Sequence, residues 1–190
     1  MTIDEIRNHF EKLREALQTV SRELSGEILS SCRVIADSLK QGNKVLIMGN
    51  GGSAADAQHF AAEMVGRFLL ERKALPAIAL TTDSSILTAV GNDYGFDEIF
   101  KRQVEALARP GDVVIGISTS GKSNNVFHAL TAANQIGCKT IGLLGRDGGN
   151  IAGVCDINLT VPVHYTPYIQ GVHGAIIHII CDLVEKELFG

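Results

Sequence analysis

The sequence has little of what secreted or nucleic-acid-binding proteins require. Its 190 residues include no tryptophan, four prolines and four cysteines, and the formal net charge is -4. The cysteines are far apart, without C-x-x-C spacing, which argues against a disulfide framework and predicts reduced, mostly buried thiols. These are Cys32, Cys138, Cys155 and Cys181. Because the chain is acidic overall, we expect no basic surface that would grip nucleic acid.

Long apolar runs are also absent. No stretch of 18 consecutive apolar residues occurs, and the N-terminus from Met1 to Arg7 is polar and acidic. A membrane-spanning helix needs about 20 predominantly apolar residues, and a signal peptide needs an apolar core. We therefore expect a cytoplasmic protein that binds neither a membrane nor nucleic acid. The 45% apolar and 20% charged residues are typical of a folded globular domain.

The pattern of apolar residues predicts one α/β domain over residues 1–190, with an N-terminal helical region (1–42) and an α/β core (43–190). In the first region, apolar residues spaced by three or four from Ile6 to Leu24 define one face of a helix. That face must be covered by the domain or by a partner subunit. A second helix is predicted for Glu27–Lys40, with Gly42 ending it.

After residue 43, short apolar runs alternate with helical patterns. Strands are predicted at Lys44–Met48, Pro76–Thr82, Asp112–Ser118, Lys139–Leu144 and Ile157–Val161. Helices are predicted at Ser53–Arg67, Asp97–Leu107, Ser123–Gln135 and Tyr168–Leu188. Because the strands are apolar throughout, we predict a flavodoxin-like, five-stranded parallel sheet with helices on both faces. Ligands of such sheets bind beyond the carboxyl ends of the strands.

Two turns rich in glycine and serine lie at that edge of the predicted sheet. The first is Gly49–Ser53 and the second is Ser118–Ser123, each between a strand and a helix. Backbone N–H groups at a helix start, together with serine hydroxyls, bind phosphate well. Helix caps use the same residue types, but two such turns at adjacent strand ends favour a phosphate-bearing small molecule.

Each turn also fits a nucleotide-binding pattern. Gly49-x-Gly51-x-x-Ala54 fits a loose dinucleotide fingerprint, and Gly116–Ser123 fits the pattern G-x-x-x-x-G-K-[ST]. Neither reading accounts for the other turn. No strand ends in the apolar-then-aspartate pattern of a magnesium-binding partner. Both nucleotide readings are therefore disfavoured.

The helix after the first turn carries His59 and Glu63 four residues apart. This spacing places the two side chains within ~40° of one face and ~6 Å apart in rise. An imidazole and a carboxylate can bind zinc, and a carboxylate in a closed site can remove a proton beside a carbonyl. An ordinary pair on a solvated helix face is the alternative. In the last helix, we expect His173 to be a core histidine bonded to a backbone carbonyl.

The residues around both turns resemble the phosphoheptose isomerases of the sugar isomerase (SIS) fold. The segment GNGGSAADAQHFAAE, from Gly49 to Glu63, carries the strongest likeness, and further matching segments follow in order. They are Gly66–Phe68, Ala79–Asp83, Gly91–Gly95, Ile117–Ser123, Gly145–Gly149 and Ile169–Gln170 followed by His178. The likeness extends from about Lys44 to the C-terminus.

The resemblance implies isomerisation of sedoheptulose 7-phosphate to D-glycero-D-manno-heptose 7-phosphate through an enediolate. This reaction begins bacterial ADP- and GDP-heptose biosynthesis for lipopolysaccharide. The resemblance also implies a homotetramer with sites at subunit boundaries, and one zinc ion per subunit. The implied zinc ligands are His59, Glu63, Gln170 and His178, of which Glu63 and His178 would also exchange protons. Implied substrate contacts are Asn50, Gly51, Gly52, Ser53, Glu63, Asn92, Asp93, Ser118, Thr119, Ser120, Ser123 and Gln170.

Two features of the last helix set this chain apart or raise a geometric question. Relatives usually have arginine and glutamate where this chain has Tyr168 and Gly171, so substrate preference or assembly could differ. On one straight helix, Gln170 and His178 lie ~12 Å apart in rise. Both reach one metal only if Gln170 precedes the first full turn, if the helix bends, or if the two come from different subunits.

Two functions without catalysis are the alternatives. One is a SIS-fold protein that binds the bacterial replication initiator, and the other is a module that senses sugar phosphates. The initiator-binding relatives lack the glutamate and the final histidine. This chain has Glu63 and His178, so an enzyme is favoured.

Overall fold

A computed structural model describes all 190 residues as seven α-helices and five β-strands. The helices are α1 (Ile3–Glu23), α2 (Ser25–Lys40), α3 (Gly52–Val65), α4 (Ser84–Asp93), α5 (Lys101–Leu107), α6 (Asn124–Ile136) and α7 (Thr166–Phe189). The strands are β1 (Val45–Gly49), β2 (Ala77–Ala79), β3 (Val113–Ser118), β4 (Lys139–Gly145) and β5 (Ile157–Val161). Short 3-10 turns occupy Phe96–Glu98 and Ala152–Val154.

The strands form one parallel sheet in the order β2-β1-β3-β4-β5. Strands β1 and β3 are fully buried, because helices cover both faces of the sheet. The predicted fold class is confirmed. From β1, the chain adds β2 on one side of the sheet and then β3, β4 and β5 on the other. Parallel α/β sheets bind ligands in the crevice at such a switch point, which here lies between β1 and β3.

Alternate residues of each strand enter two separate apolar cores. Val45 and Ile47 of β1 pack in a core with α1, α2, α3 and α7. Leu46 and Met48 pack in a second core with α5 and α6. Burying one large aliphatic side chain in either core stabilises the fold by about 1.5–3 kcal/mol. The helices that carry His59, Glu63 and His178 therefore share one face of the sheet.

Helix α1 begins with a complete capping box. The Thr2 hydroxyl accepts from the Glu5 backbone N–H, and the Glu5 carboxylate accepts from the Thr2 N–H. The predicted apolar face of α1 is covered only in its second half: Val20 is buried against the domain, whereas Ile6 and Phe10 are 59% and 70% exposed. The first half of this face thus lacks a partner within the chain.

The structure differs from the prediction at two elements between residues 76 and 96. Strand β2 is only three residues long, and the chain turns at Leu80 and Thr81 instead of continuing the strand. Helix α4, which the pattern does not predict, follows with Asp83 as its N-cap; the Asp83 carboxylate accepts from the Ile86 N–H at 2.9 Å. No residue of α4 is fully buried, although Leu87 and Val90 pack against the second core, so this ten-residue helix shows only a weak apolar pattern.

Helix α7 is the one helix with the length and apolar composition of a membrane span, at a mean hydropathy of 1.2. Of its most apolar window, 44% is buried inside the domain. Helices α1, α2 and α3 pack against α7. A helix in the core of a folded domain can have the same length and apolar composition as a membrane span.

The buried thiol and imidazole groups are as the sequence predicts. Cys32, Cys138 and Cys181 are buried and Cys155 is half-buried, and none forms a disulfide. Burial raises the pKa of the Cys181 thiol to about 12. The fully buried His173 donates from Nε2 to the Leu144 carbonyl oxygen at 2.9 Å. Its pKa is lowered to about 4, because burial disfavours the charged ring.

Candidate active site

The two turns rich in glycine and serine are neighbours in space. Strands β1 and β3 pair in register, with Gly49 opposite Ile117, so both strands end at the same edge of the sheet. The first turn leads into α3 and the second into α6. Two helix N-termini therefore flank one crevice, where their dipoles favour an anion.

Glycine is required at two positions of the first turn, and a third glycine packs closely against a side chain. A Cβ on Gly49 would lie 2.6 Å from the Ser53 carbonyl oxygen, and Gly51 has a φ of +56° that side chains rarely adopt. A Cβ on Gly52 would overlap Nε2 of Gln170. The first turn of α3 is therefore pressed against the side chain of Gln170 from α7.

A reciprocal amide contact joins the two turns. Asn50 Nδ2 donates to Asn125 Oδ1, and Asn125 Nδ2 donates to Asn50 Oδ1, both at 2.9 Å. Asn125 is 2% exposed and also accepts from the Val126 N–H. Sequence reasoning missed Asn125, although an amide in the first turn of a helix beside a phosphate-type turn is a usable signal. The contact fixes the relative position of the two turns.

The second turn carries several serine hydroxyls at the same edge of the sheet. Ser118 Oγ and Ser123 Oγ lie 3.0 Å apart, and Ser120 Oγ accepts from the Lys122 N–H at 3.2 Å. Gly121 has a φ of +66°, and a Cβ there would overlap the Gly148 carbonyl. The turn is thus held against the loop after β4, with Ser123 as the N-cap of α6.

His59, Glu63 and His178 form a compact cluster on the flank of the domain. His59 Nε2 lies 2.9 Å from Glu63 Oε1, and His178 Nε2 lies 3.3 Å from His59 Nε2. One ligand atom from each residue lies within 4.8 Å of the others. The His59 side chain is 44% exposed and the Glu63 side chain 25%, so the cluster is open to a ligand.

The donor set of this cluster fits a zinc ion. Two imidazole nitrogens and one carboxylate oxygen converge, and zinc is bound by such ligands with a fourth position open for water or substrate. The two Nε2 atoms lie 3.3 Å apart, close enough for a hydrogen bond between the rings or for both nitrogens to bind one cation. His59, Glu63 and His178 are therefore able to hold a metal.

The surroundings of the cluster include a partly buried carboxyl group that sequence reasoning missed. Asp56 lies one turn before His59 on α3, and its Oδ2 atom is buried without a hydrogen-bond partner. Burial raises the pKa of Asp56, and the nearby His59 opposes this shift. An acidic residue three positions before a candidate ligand histidine was a signal available in the sequence. The ring of Phe68 lies 5.7 Å from that of His178.

Helices α3 and α7 run side by side in the same direction, which separates Gln170 from the cluster. Gln170 lies beside Gly52, whereas His178 lies beside His59, seven residues further along α3. This corresponds to about 10 Å of helix rise. Gln170 is the fifth residue of an unbroken α7, so it does not precede the first full turn of the helix.

The remaining predicted contacts lie apart from the cluster. Asn92 and Asp93 end α4, are exposed, and bond only to each other, with Asn92 Nδ2 donating to Asp93 Oδ1 at 2.8 Å. Helix α3 starts at the crevice. Along its axis, His59 is about 10 Å and Glu63 about 16 Å from that start within one chain. The phosphate-type turns and the cluster are thus two separate parts of the surface.

Comparison with known proteins shows the family to which the chain belongs. The family model of the SIS domain matches residues 8–145. A phosphoheptose isomerase of Syntrophotalea carbinolica is 71% identical over 189 residues, which cover 100% of this chain and 96% of that protein.

Two solved structures share the architecture over nearly their whole length. A phosphoheptose isomerase from Neisseria gonorrhoeae is 46% identical, with a TM-score of 0.92 over 96% of this chain and 98% of that one. One from Francisella tularensis is 39% identical, with a TM-score of 0.94 over 98% of this chain and 100% of that one.

Proposed function

We propose that this chain, which belongs to the phosphoheptose isomerase family of SIS-domain proteins, converts sedoheptulose 7-phosphate into D-glycero-D-manno-heptose 7-phosphate. The observation that carries the proposal is the convergence of Glu63 Oε1, His59 Nε2 and His178 Nε2 within 4.8 Å of one another. A ketose-to-aldose conversion needs a base and an acid at adjacent carbons, and this cluster contains both. The product would enter ADP- or GDP-heptose and lipopolysaccharide biosynthesis.

The phosphate end of the substrate is assigned to the crevice between β1 and β3. Ser118, Ser120 and Ser123 offer hydroxyl donors, and the starts of α3 and α6 offer backbone N–H groups. Hydrogen bonds to a charged group are stronger than those between neutral groups. The crevice therefore holds the anionic end and leaves the sugar carbons free to extend. Asn50, Gly51, Gly52, Ser53 and Thr119 complete the proposed contacts, with Asn92 and Asp93 at the rim.

Glu63 and His178 would exchange the protons of the reaction. Only Oε1 of Glu63 is hydrogen-bonded, to His59, and the other carboxylate oxygen has no partner. That oxygen is available to take the proton from C1 of the ketose. His178 on the facing helix would donate a proton to the C2 carbonyl oxygen and then take one from the C1 hydroxyl, while Glu63 returns its proton to C2 to complete the aldose.

The same residues would hold one zinc ion per subunit, with His59, Glu63 and His178 as ligands and Gln170 as a fourth. When bound, zinc would polarise the substrate carbonyl and stabilise negative charge on its oxygen. Because Gln170 lies about 12 Å of helix rise from His178 in one chain, we assign the fourth ligand to a neighbouring subunit.

A homotetramer with sites at subunit boundaries is supported by two open surfaces. Ile3, Ile6 and Phe10 on α1 are all more than half exposed, and exposed apolar clusters of this kind mark interfaces. A groove of about 620 Å³ lies beside His59 and is bordered by β2 at the edge of the sheet. A second subunit would cover both surfaces and bring its phosphate crevice to the cluster. We expect this assembly in the cytoplasm.

One experiment separates an isomerase from the two functions without catalysis. Purified protein is incubated with sedoheptulose 7-phosphate, and the aldose product is followed by NMR. An isomerase forms the aldose to equilibrium. A sensor binds the sugar phosphate and releases it unchanged, whereas an adaptor for the replication initiator does not bind it. Either result would contradict the proposal.

A further inference from the structure

A buried ion pair connects the end of α3 to α7. Arg72 Nε donates to Glu185 Oε1 at 2.8 Å, and both side chains are only 2% exposed. Removing two charges from water costs several kcal/mol per ion, and this cost is recovered only when the remaining donors and acceptors are also paired. The other partners of these two residues therefore indicate what the pair does.

Arg72 caps the helix that carries His59 and Glu63. Its Nη2 donates to the Glu63 carbonyl oxygen at 2.9 Å, and its Nη1 donates to that of Met64 at 2.9 Å. Further Nη1 contacts reach the carbonyls of Gly66 and Lys73. The last carbonyl groups of an α-helix have no partner within the helix. One guanidinium group supplies those partners and holds the backbone of Glu63 directly.

Glu185 binds the turn that contacts His178. Its carboxylate accepts from the backbone N–H groups of Phe68, Leu69 and Leu70 at 3.0, 2.7 and 2.7 Å. Burial alone would raise the pKa of Glu185, but these three N–H groups and Arg72 lower it to about 2. The Phe68 ring, fixed by this turn, lies 5.7 Å from the His178 ring.

The position of Glu185 on α7 links it mechanically to the cluster. Glu185 follows His178 by seven residues, which is two helical turns, so both side chains point to the same face of α7. That face meets α3. The pair thus attaches the α3 end beside Glu63 to the α7 face that carries His178.

We propose that Arg72 and Glu185 are positioning residues that set the separation between Glu63 and His178. Neither is exposed, so neither reaches a substrate. They act through the backbone of Glu63 and through Phe68 against the His178 ring. The inference rests on the proposed isomerase function for its kinetic test, but its geometric content concerns only these helices.

The test uses Glu185→Gln and Arg72→Lys in the full-length protein. Glutamine keeps the shape but turns an NH₂ group toward two N–H donors, and lysine keeps the charge but loses the fork of the guanidinium group. Sub-ångström displacement of reacting groups is expected to lower kcat at least ~10-fold. KM for sedoheptulose 7-phosphate should stay within about 3-fold, because the phosphate crevice is untouched.

Zinc affinity, measured by competition with a chelator, is the readout independent of turnover. Both variants should bind zinc about 10-fold more weakly than the unmodified protein, as expected when ligand-supporting contacts are lost. Glu187→Gln is the matched control: Glu187 also lies on α7 and pairs with Lys40 at 2.6 Å, but both side chains are about half exposed. The control should retain kcat and zinc affinity.

The outcomes separate this inference from the proposed function. If folded Glu185→Gln or Arg72→Lys, checked by circular dichroism, keeps both kcat and zinc affinity, the positioning role is wrong and the pair serves stability alone. If the unmodified protein does not isomerise the substrate, the proposed function fails, and zinc competition still decides the positioning role.

Discussion

His178 Nε2 lies 3.3 Å from His59 Nε2, although the two residues are 119 positions apart and belong to different helices. The rings meet nearly at right angles, with centroids 4.9 Å apart. Glu63 Oε1 contacts the same His59 nitrogen at 2.9 Å. Because the three side chains contact one another, replacing any one of them should change the function of the whole cluster.

Glu63→Gln should reduce turnover by at least about 10²-fold, because an amide cannot accept the proton from C1. Binding of the sugar phosphate, measured by calorimetry with the competitive product, should remain within about 3-fold of normal. Glu71→Gln is the matched control, since the Glu71 side chain is 92% exposed. Normal turnover by folded Glu63→Gln would remove this residue as the base.

Removal of zinc should lower turnover by a similar factor, and added zinc should restore it. We expect His59→Ala to lose the ion on dialysis, measured by atomic emission, while His128→Ala, on α6, keeps it. A rigorously metal-free preparation that isomerises at the full rate would show that zinc has no catalytic part.

Ser118→Ala should raise KM for the sugar phosphate about 10-fold with little change in kcat. A hydrogen bond to a charged group contributes about 1.5–3 kcal/mol, and the Ser118 hydroxyl lies in the crevice beside that of Ser123. The control Ser30→Ala removes an exposed hydroxyl that only bonds its own helix. An unchanged KM in Ser118→Ala would place the phosphate elsewhere.

Gly52→Ala should weaken zinc affinity while changing the free energy of unfolding little, because the added methyl group would displace only the flexible side chain of Gln170. Gly174→Ala on α7 is the control, since a Cβ there meets nothing within 4 Å. It should stabilise the protein by about 0.5–1 kcal/mol. Full zinc affinity in Gly52→Ala would argue against Gln170 as a ligand.

Stability should fall as the pH is lowered from about 6.5 to about 4, because His173 must be protonated when the chain unfolds. Its folded-state pKa is lowered to about 4 from 6.5. The unfolded chain binds this proton first, so the stabilisation is complete above pH 6.5 and is lost toward pH 4, by up to ~3 kcal/mol. Urea denaturation at several pH values measures this loss.

The matched variant for that measurement is His173→Gln, which does not titrate and keeps an N–H group toward the Leu144 carbonyl. Its unfolding free energy should depend less on pH between 6.5 and 4.5. Glu185, with a pKa of about 2 against an ordinary 4.5, affects stability only at lower pH. Equal pH dependence in both proteins would contradict this assignment.

The sequence predicts four of the five strands well because buried apolar residues mark them, as a continuous run in β1 and at alternate positions in β5. Predicted Lys139–Leu144 differs from β4 only by Gly145, and predicted Ile157–Val161 coincides with β5. The phosphoheptose isomerase family, predicted from the segment Gly49–Glu63, is confirmed by the relatives. Local motifs and local periodicity carry both results.

Long-range relationships were beyond reach. Helix α4 is short and has no fully buried residue, and only Leu87 and Val90 pack against the core, so its apolar pattern is weak. Arg72 and Glu185 are 113 positions apart, and charged residues are ordinarily exposed. Nothing in the spacing indicated that these two are buried together. The proximity of His59 to His178 followed only from the family resemblance, and the roles of all site residues stay predictions.

The mutual amide contact between Asn50 and Asn125 restricts how these two positions can change during evolution. Each side chain is donor and acceptor to the other, so aspartate or serine at one position alone leaves the opposite amide without a complementary partner. A substitution at either position alone should therefore be selected against unless the other position changes with it. Among homologous chains, the two positions are expected to covary as a unit.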